Sequence, residues 1–263
     1  ITPTEGHRLS AMDAHELSTL TADPMQTLGM SFYFDSLTRA RAKELGVNAY
    51  EFYGLGRAGV MGDVDTATVQ EVFYFFDPSV IDFVWTNAKA KADPVAIASE
   101  HLRAAYDFAD RTFGGVDPVV LAQFATAVRR VVEHQDHGVC PLVDGYLAYQ
   151  SPSDPVHDAY LATIFLRELR GGLHIHAVRE VGLEPVAACY LQDAGVFTLH
   201  GYKEEDAPTL TEELQQQKAR AEALTDAAMA ACFSVLSDEE RDAIARATPL
   251  MFEALEHPVP VAR

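Results

Sequence analysis

A glycine and a proline three positions apart limit what the stretch from Arg167 to Gly195 can become. It reads RELRGGLHIHAVREVGLEPVAACYLQDAG. Glycine takes the left-handed conformation that ends a helix, and Gly182 stands where such an end is needed. Proline suits the first turn of a helix and an acid suits its positive end, so Glu184-Pro185 opens a new one. The segment therefore reads as a short helix from Ile175 to Val181, a turn at Gly182-Leu183, and a second helix from Glu184 to Asp193. Ala194-Gly195 stops that second helix, and Gly171-Gly172 is expected to interrupt the helix before Ile175.

The same pattern occurs earlier. Ala40 to Val60 (ARAKELGVNAYEFYGLGRAGV) aligns without gaps on His176 to Val196 (HAVREVGLEPVAACYLQDAGV). Lys43-Glu44-Leu45-Gly46-Val47 sits on Arg179-Glu180-Val181-Gly182-Leu183. Leu55 falls on Leu191, and Ala58-Gly59-Val60 on Ala194-Gly195-Val196. Amphipathic helices with glycine stops resemble one another by chance. Here the charged, glycine and apolar positions agree together, which favours a diverged duplication.

Between and around the twins the chain reads as helical. A short helix is expected near Ala11 to Leu20, within a polar start from Ile1 to Asp23, and Met25 to Leu45 has helical spacing. Asn48 caps a helix through Tyr53, and Gly54, Gly56, Gly59 and Gly62 read as a loop. Val69, Val72, Phe73 and Phe76 form a helical stripe after Asp65. Asp77-Pro78, Asp93-Pro94 and Asp117-Pro118 each place an Asp cap before a first-turn proline, and the last two open helices Val95 to Phe113 and Val119 to Glu133. Gly138 to Pro155 reads as a connecting arm, and His157 to Arg170 as a strong helix. Val196 to Tyr202 alternates like a short β wing. Thr209 to Phe233 is helical with a polar first half, and Ser237 with Glu240 forms a capping box for a last helix.

The expected fold is mostly α: two diverged winged helix–turn–helix-like repeats, pseudo-symmetric, joined by a helical middle. The first half with the middle spans residues 1–150 and the second half with the C-terminal helices spans 151–263.

Three patches carry a resemblance. Tyr53-Gly54-Leu55-Gly56-Arg57-Ala58 with Gly62 fits a Tyr/Phe-Gly-x-Gly-Arg-Ala-x-x-x-Gly pattern. Pro141-Leu142 leads to Pro152 and Pro155. Leu166 to His174, followed by Gly182-Leu183, fits an LREhRGDgH-like segment. Over roughly Met30 to Tyr202 the chain resembles an actinobacterial helix–turn–helix family of unknown function, and the resemblance implies a degenerate winged-helix fold that does not bind DNA. The resemblance implies that fold and no particular reaction. Gly172 stands where the family tends to have Asp, and Val139 where it tends to have Arg, so any role of those two side chains is missing here.

Composition excludes several classes. The formal charge of −19 opposes nucleic-acid binding, which rests on Lys and Arg meeting phosphates. The helix Glu184 to Asp193 has no Lys or Arg, and its twin from Asn48 to Arg57 offers only Arg57, so neither reads as a recognition helix. There is no apolar run of transmembrane length and no signal-peptide pattern, so no membrane role is expected. The 3 cysteines, Cys140, Cys189 and Cys232, form no CxxC or disulfide framework, and the cytoplasm is the expected location. Cys189, among Ala187, Ala188 and Leu191, reads as an inert core thiol. No motif names a cofactor: GxSxG, HExxH, the EF-hand loop and the Rossmann fingerprint are absent, and GLGRAGVMG lacks the context of a phosphate loop.

The candidate chemistry gathers around two places. Arg167, Arg170 and His174 lie at i, i+3 and i+7, one face of an unbroken helix. Two guanidiniums beside an imidazole point to a carboxylate or phosphate partner; the alternative is that both arginines pair with internal acids such as Glu168. Tyr53 and Arg57, four apart, are placed to edge a pocket. His174 and His176 diverge on a helix but share a face in an extended segment, where His200 would add a third metal ligand. His134 and His137 fit ordinary capping at a helix end.

The leading expectation is therefore a pocket for a small, anionic molecule between the two repeats, in a binding protein or an enzyme. Arg57 and Arg170 would hold the anion, Tyr53 and His176 would contact the ligand, and His174 would be an acid/base or a metal ligand. One alternative is a protein-interaction or structural role as a homodimer, with the polar helix Thr209 to Ala223 bridging subunits. A second is a metal site on His174, His176 and His200.

Overall fold

The computed structural model describes residues 12–257, and among them every regular element is a helix. The polar start from Ile1 to Ala11 lies outside the described residues. Thirteen α-helices follow one another. They are α1 (Ala14–Met30), α2 (Ser36–Glu44), α3 (Ala49–Ala58), α4 (Thr66–Val72), α5 (Pro78–Ile81), α6 (Pro94–Phe113), α7 (Pro118–Glu133), α8 (Pro141–Leu147), α9 (Pro155–Glu180), α10 (Pro185–Gln192), α11 (Ala194–Leu199), α12 (Glu212–Phe233) and α13 (Asp238–Glu256). Short 3₁₀ turns follow α1 and α3, and α5 runs into a π-helical segment, Asp82–Asn87, that carries Trp85.

Helix starts are written in aspartate. Asp13, Asp35, Asp65, Asp77, Asp93, Asp117, Asp154 and Asp193 each stand at an N-cap and accept backbone N–H groups of the first turn. Part of the acidity of the chain thus serves its helix ends. The Asp-Pro device occurs once more than the sequence pattern indicated, at Asp154-Pro155, where it opens α9.

Helix α9 is the axis of the molecule. Its first half is buried on every side: Ala159 to Leu166 are all inaccessible, and α1, α6, α7, α8 and α12 pack around it. A helix apolar all round belongs in a core. The main core cluster runs from Leu17 to Met251 and draws residues from both sides of position 150. A second cluster, with Phe52, Leu55, Phe73, Phe76 and Trp85, sits under α3 to α6. A third joins the end of α9 to α10 and α12.

Several expectations are corrected. Gly171-Gly172 do not interrupt a helix: α9 is continuous for 26 residues, and Ile175 to Val181 is its last part, not a separate short helix. Gly172 is there because Cys140 crosses close by; a Cβ at 172 would lie 2.4 Å from Sγ of Cys140. Gly54 and Gly56 are inside α3, not in a loop, since α3 packs hard on α6, and a Cβ at Gly56 would lie 2.3 Å from the His101 ring. The β wing is absent: Val196 to Leu199 belong to α11, capped by Asp193, with Phe197 packed between Tyr190 and Tyr202. Helix α4 ends at Val72, so Phe73 and Phe76 reach the core from the turn beyond it. The arm from Gly138 to Pro155 contains α8.

The two matching turns share one hydrogen-bond geometry. In the first, the N–H groups of Gly46 and Val47 reach the carbonyls of Lys43 and Ala42, both at 3.1 Å. In the second, those of Gly182 and Leu183 reach Arg179 and Val178, again at 3.1 Å. The glycines have φ of 79° and 69°. Ala42, Val47, Val178 and Leu183 are buried, which supplies the apolar contact of this helix ending.

Candidate functional site

Past Leu166 one face of α9 becomes the floor of a cavity of about 470 Å³, while Leu169 and Val178 stay in the core. Tyr53 and Arg57 of α3 line it on one side, with Phe73, Phe75 and Phe76 from the turn after α4. Cys140 and Leu142, Ala188 and Cys189 of α10, His200 after α11, and Glu222 of α12 close other sides. Every candidate residue named from the sequence lines this one cavity: Tyr53, Arg57, Arg170, His174, His176 and His200. A wider, open groove of about 650 Å³ between α7 and α13 contains none of them.

The deep end is built on Glu168. Arg57 grips it with two parallel bonds, Nε to Oε1 at 2.9 Å and Nη2 to Oε2 at 2.6 Å. Arg57 Nη1 donates to the Tyr53 hydroxyl at 2.8 Å, and the Phe73 ring lies 4.7 Å from its guanidinium carbon. Arg167 donates from Nη1 to Glu168 Oε1 at 2.6 Å and to the Tyr33 hydroxyl at 3.4 Å. Burial opposes ionisation of Glu168, but Arg57 and Arg167 overcome it and hold its carboxyl below the usual value. Burial, with the Arg57 charge adding to it, pushes neighbouring His101 down to about 3, so it is neutral. Burial likewise raises the Tyr33 phenol, which stays protonated. Two cations and one anion therefore share this end, a surplus of one positive charge. The sequence offered Glu168 as an internal partner for Arg167 and Arg170; it pairs with Arg167 and not with Arg170, and nothing in the sequence tied it to Arg57 across 111 positions.

The other end is a separate network. Arg170 does not reach Glu168. It pairs with α12, Nη1 to Asp226 at 2.9 Å and Nη2 to Glu222 at 3.1 Å. His174 Nδ1 lies 2.9 Å from Thr225 Oγ1, whose own proton goes to the Ala221 carbonyl at 2.7 Å. That arrangement puts the imidazole proton on Nδ1 and leaves Nε2 as an acceptor, 3.9 Å from Glu222. Burial lowers the His174 pKa; Glu222 opposes this and Arg170 reinforces it.

The two remaining histidines take other parts. His176 is exposed at the rim and donates through Nε2 to the Val139 carbonyl at 3.2 Å. His200 donates from Nδ1 to the Val196 carbonyl at 2.7 Å and packs on Phe76, and burial lowers its pKa. Because α9 stays helical, His174 and His176 diverge. Among the described residues, the ligand atoms that cluster within 4.8 Å are those of Asp110, Asp154 and His157, not of His174, His176 and His200. The proposed three-histidine metal site is thus not assembled.

Elsewhere, His134 Nδ1 donates to the Arg130 carbonyl at the end of α7 and His137 pairs with Asp144. Cys189 is buried, and burial raises its thiol to about 12. The polar half of α12 is used within the chain: Gln217 donates to the Val181 carbonyl and Lys218 to that of Leu191, closing the second turn from outside. Among the described residues no helix is long and apolar enough to cross a membrane.

Comparison with known proteins finds no match among curated proteins and none among solved structures. A family model described as a helix-turn-helix family matches residues 19–258. The chain belongs to that helix–turn–helix family.

Proposed function

We propose that this chain binds a small anionic molecule in the cavity between its two helix–turn–helix segments, and does not bind DNA. The observation that carries the reading is the buried pair Arg57 and Arg167 sharing the single carboxylate of Glu168 at the wall of that cavity. An uncompensated buried cation is costly, and an anionic ligand would balance it. A volume of about 470 Å³, with Phe73, Phe75 and Phe76 in its walls beside Arg57, Arg167 and Arg170, suits a drug-sized acid with an apolar body. His174, with a neutral ring and Nε2 as acceptor, would accept a hydrogen bond, or a proton if the ligand is turned over.

The helix–turn–helix segments face inward. Glu51 to Ala58 of α3 are buried except Tyr53, and α10 turns Ala187 and Cys189 to the interior. The burial of α3 leaves little of it free to enter a DNA groove, and half-buried α10 carries no Lys or Arg, which supports the reading. We read the two segments as diverged copies whose recognition faces became cavity walls, supported by the shared turn geometry. Native mass spectrometry of the protein as purified, followed by denaturation, tests the ligand reading: the expected result is a released small acid. Thermal shifts with a panel of small acids extend it to protein that purifies empty. If no acid is released and none raises the melting temperature, the reading fails. Nanomolar, salt-sensitive binding to a defined duplex would sink the DNA part of it.

A further inference from the structure

We infer that the ligand is a flat, apolar monocarboxylic acid whose carboxylate docks on the Nε–Nη2 edge of Arg167; this rests on the reading of the cavity as a ligand site.

The two arginines on Glu168 use different edges. Arg57 offers its Nε–Nη2 fork and fills it with both oxygens of Glu168. Arg167 reaches the same carboxylate with Nη1 alone, and its other bond, to Tyr33, also leaves from Nη1. Among the described residues no acceptor meets its Nε, which is fully buried, so a ligand takes this edge only as the Arg167 side chain shifts to open it. The edge that Arg57 uses to hold a carboxylate is therefore unused on Arg167, one of the residues lining the cavity. That edge matches the two oxygens of a carboxylate.

Charge sets the ionic state. The surplus at this end is one positive charge. Of the other acids nearby, Glu71 pairs with Arg179, Glu222 and Asp226 pair with Arg170, and Asp23, also on the lining, is exposed to solvent. One negative charge balances the surplus, and a phosphate dianion overshoots it. The face of Arg167 lies over the Tyr33 ring at 5.4 Å, so a ligand meets the guanidinium in its plane.

Shape sets the body. Beyond Arg167 the same helical face presents Gly171, where a Cβ would meet nothing within 4 Å. Phe73, Phe75 and Phe76 stand among the walls, and His174 lies one turn further on. Arg167 to His174 is about 10 Å along the helix, the length of a fused two-ring acid.

Calorimetry on the whole chain with 2-naphthoate, 2-naphthamide and 2-naphthyl phosphate tests the inference. 2-Naphthoate should bind, and the neutral amide and the phosphate ester should bind at least about tenfold more weakly. Arg167→Met should weaken naphthoate by at least about tenfold without lowering the melting temperature, because it removes a surplus buried charge. Arg167→Lys keeps the charge, loses the fork, and should weaken it too. Gly171→Phe should abolish binding of naphthoate. If the phosphate ester binds best, or the Arg167 variants bind naphthoate unchanged while Gly171→Phe abolishes it, the carboxylate inference is overturned and the cavity reading stands. If no probe binds, the carboxylate inference falls and the cavity reading is decided by the release and thermal-shift experiments; if naphthoate binds and Gly171→Phe changes nothing, both fall.

Discussion

The first and second helix–turn–helix segments close on the same turn and then part company. In α3 the helix continues through Arg57 and is almost wholly buried. In α10 the aligned position is Asp193, where the backbone turns extended, with φ of −170°, and the side chain caps α11 instead. Tyr53 and Cys189 occupy matching positions and both line the cavity. The same local geometry thus delivers a buried cation from one segment and an apolar wall from the other. A turn fixes how two helices meet; the packing beyond it fixes what the second helix is for.

The largest expected effect breaks the first segment at its anchor. Glu168→Gln leaves the buried guanidiniums of Arg57 and Arg167 without a counter-charge and should cost about 3–5 kcal/mol, read as a fall in the denaturant midpoint. The pH dependence follows in sign. The folded pKa of Glu168 is depressed, so its contribution is full above the unfolded carboxyl value and is lost as pH falls through the folded one. Glu168→Gln should flatten that acid limb, and an unchanged limb would count against the triad. No comparable carboxylate anchors α10, so Glu184→Gln should leave the midpoint within about 0.5 kcal/mol.

Next come the glycines of close approach and of the turns. Gly172→Ala drives a Cβ against Cys140 and should cost about 1–3 kcal/mol. Gly46→Ala and Gly182→Ala meet open space, with nothing nearer than 3.8 Å, so only the positive φ is penalised. Each should cost about 1–2 kcal/mol, and the two values should agree. A large difference between them would show that the turns are alike in hydrogen bonds but not in strain.

Much of this was legible in the residues and some was not. Caps and turns are local, so Asp93-Pro94, Asp117-Pro118, the Asn48 box and both glycine turns could be read directly. The glycines inside α3 and α9 read as breaks because glycine is a poor helix former. Their cause is a distant helix, His101 for Gly56 and Cys140 for Gly172, which no local pattern contains. The β wing failed for a similar reason: alternation over Val196 to His200 is short, and a capping Asp193 decides for a helix. The candidate residues were found by their chemistry. Their true partners, Glu168 for Arg57 and Glu222 with Asp226 for Arg170, were set by how α3 and α12 pack on α9.

The smallest expected effect sharpens the second segment. His174 is the titrating group where α9 meets α12, and burial lowers its pKa below the ordinary 6.5 while Glu222 pulls the other way. A group with a depressed cationic pKa takes up more protons unfolded than folded. Stability therefore falls as pH drops through the unfolded value near 6.5. His174→Gln should reduce that slope between neutral and mildly acidic pH by its own share, with buried His101 and His200 keeping theirs, while leaving stability above it nearly unchanged. Glu222→Gln removes the opposing charge, so the His174 pKa, followed by its ring proton shifts in NMR, should fall further. A rise instead would mean that Arg170, released from Glu222, no longer presses on the imidazole, and that the network at this end is organised by Asp226 and not by Glu222.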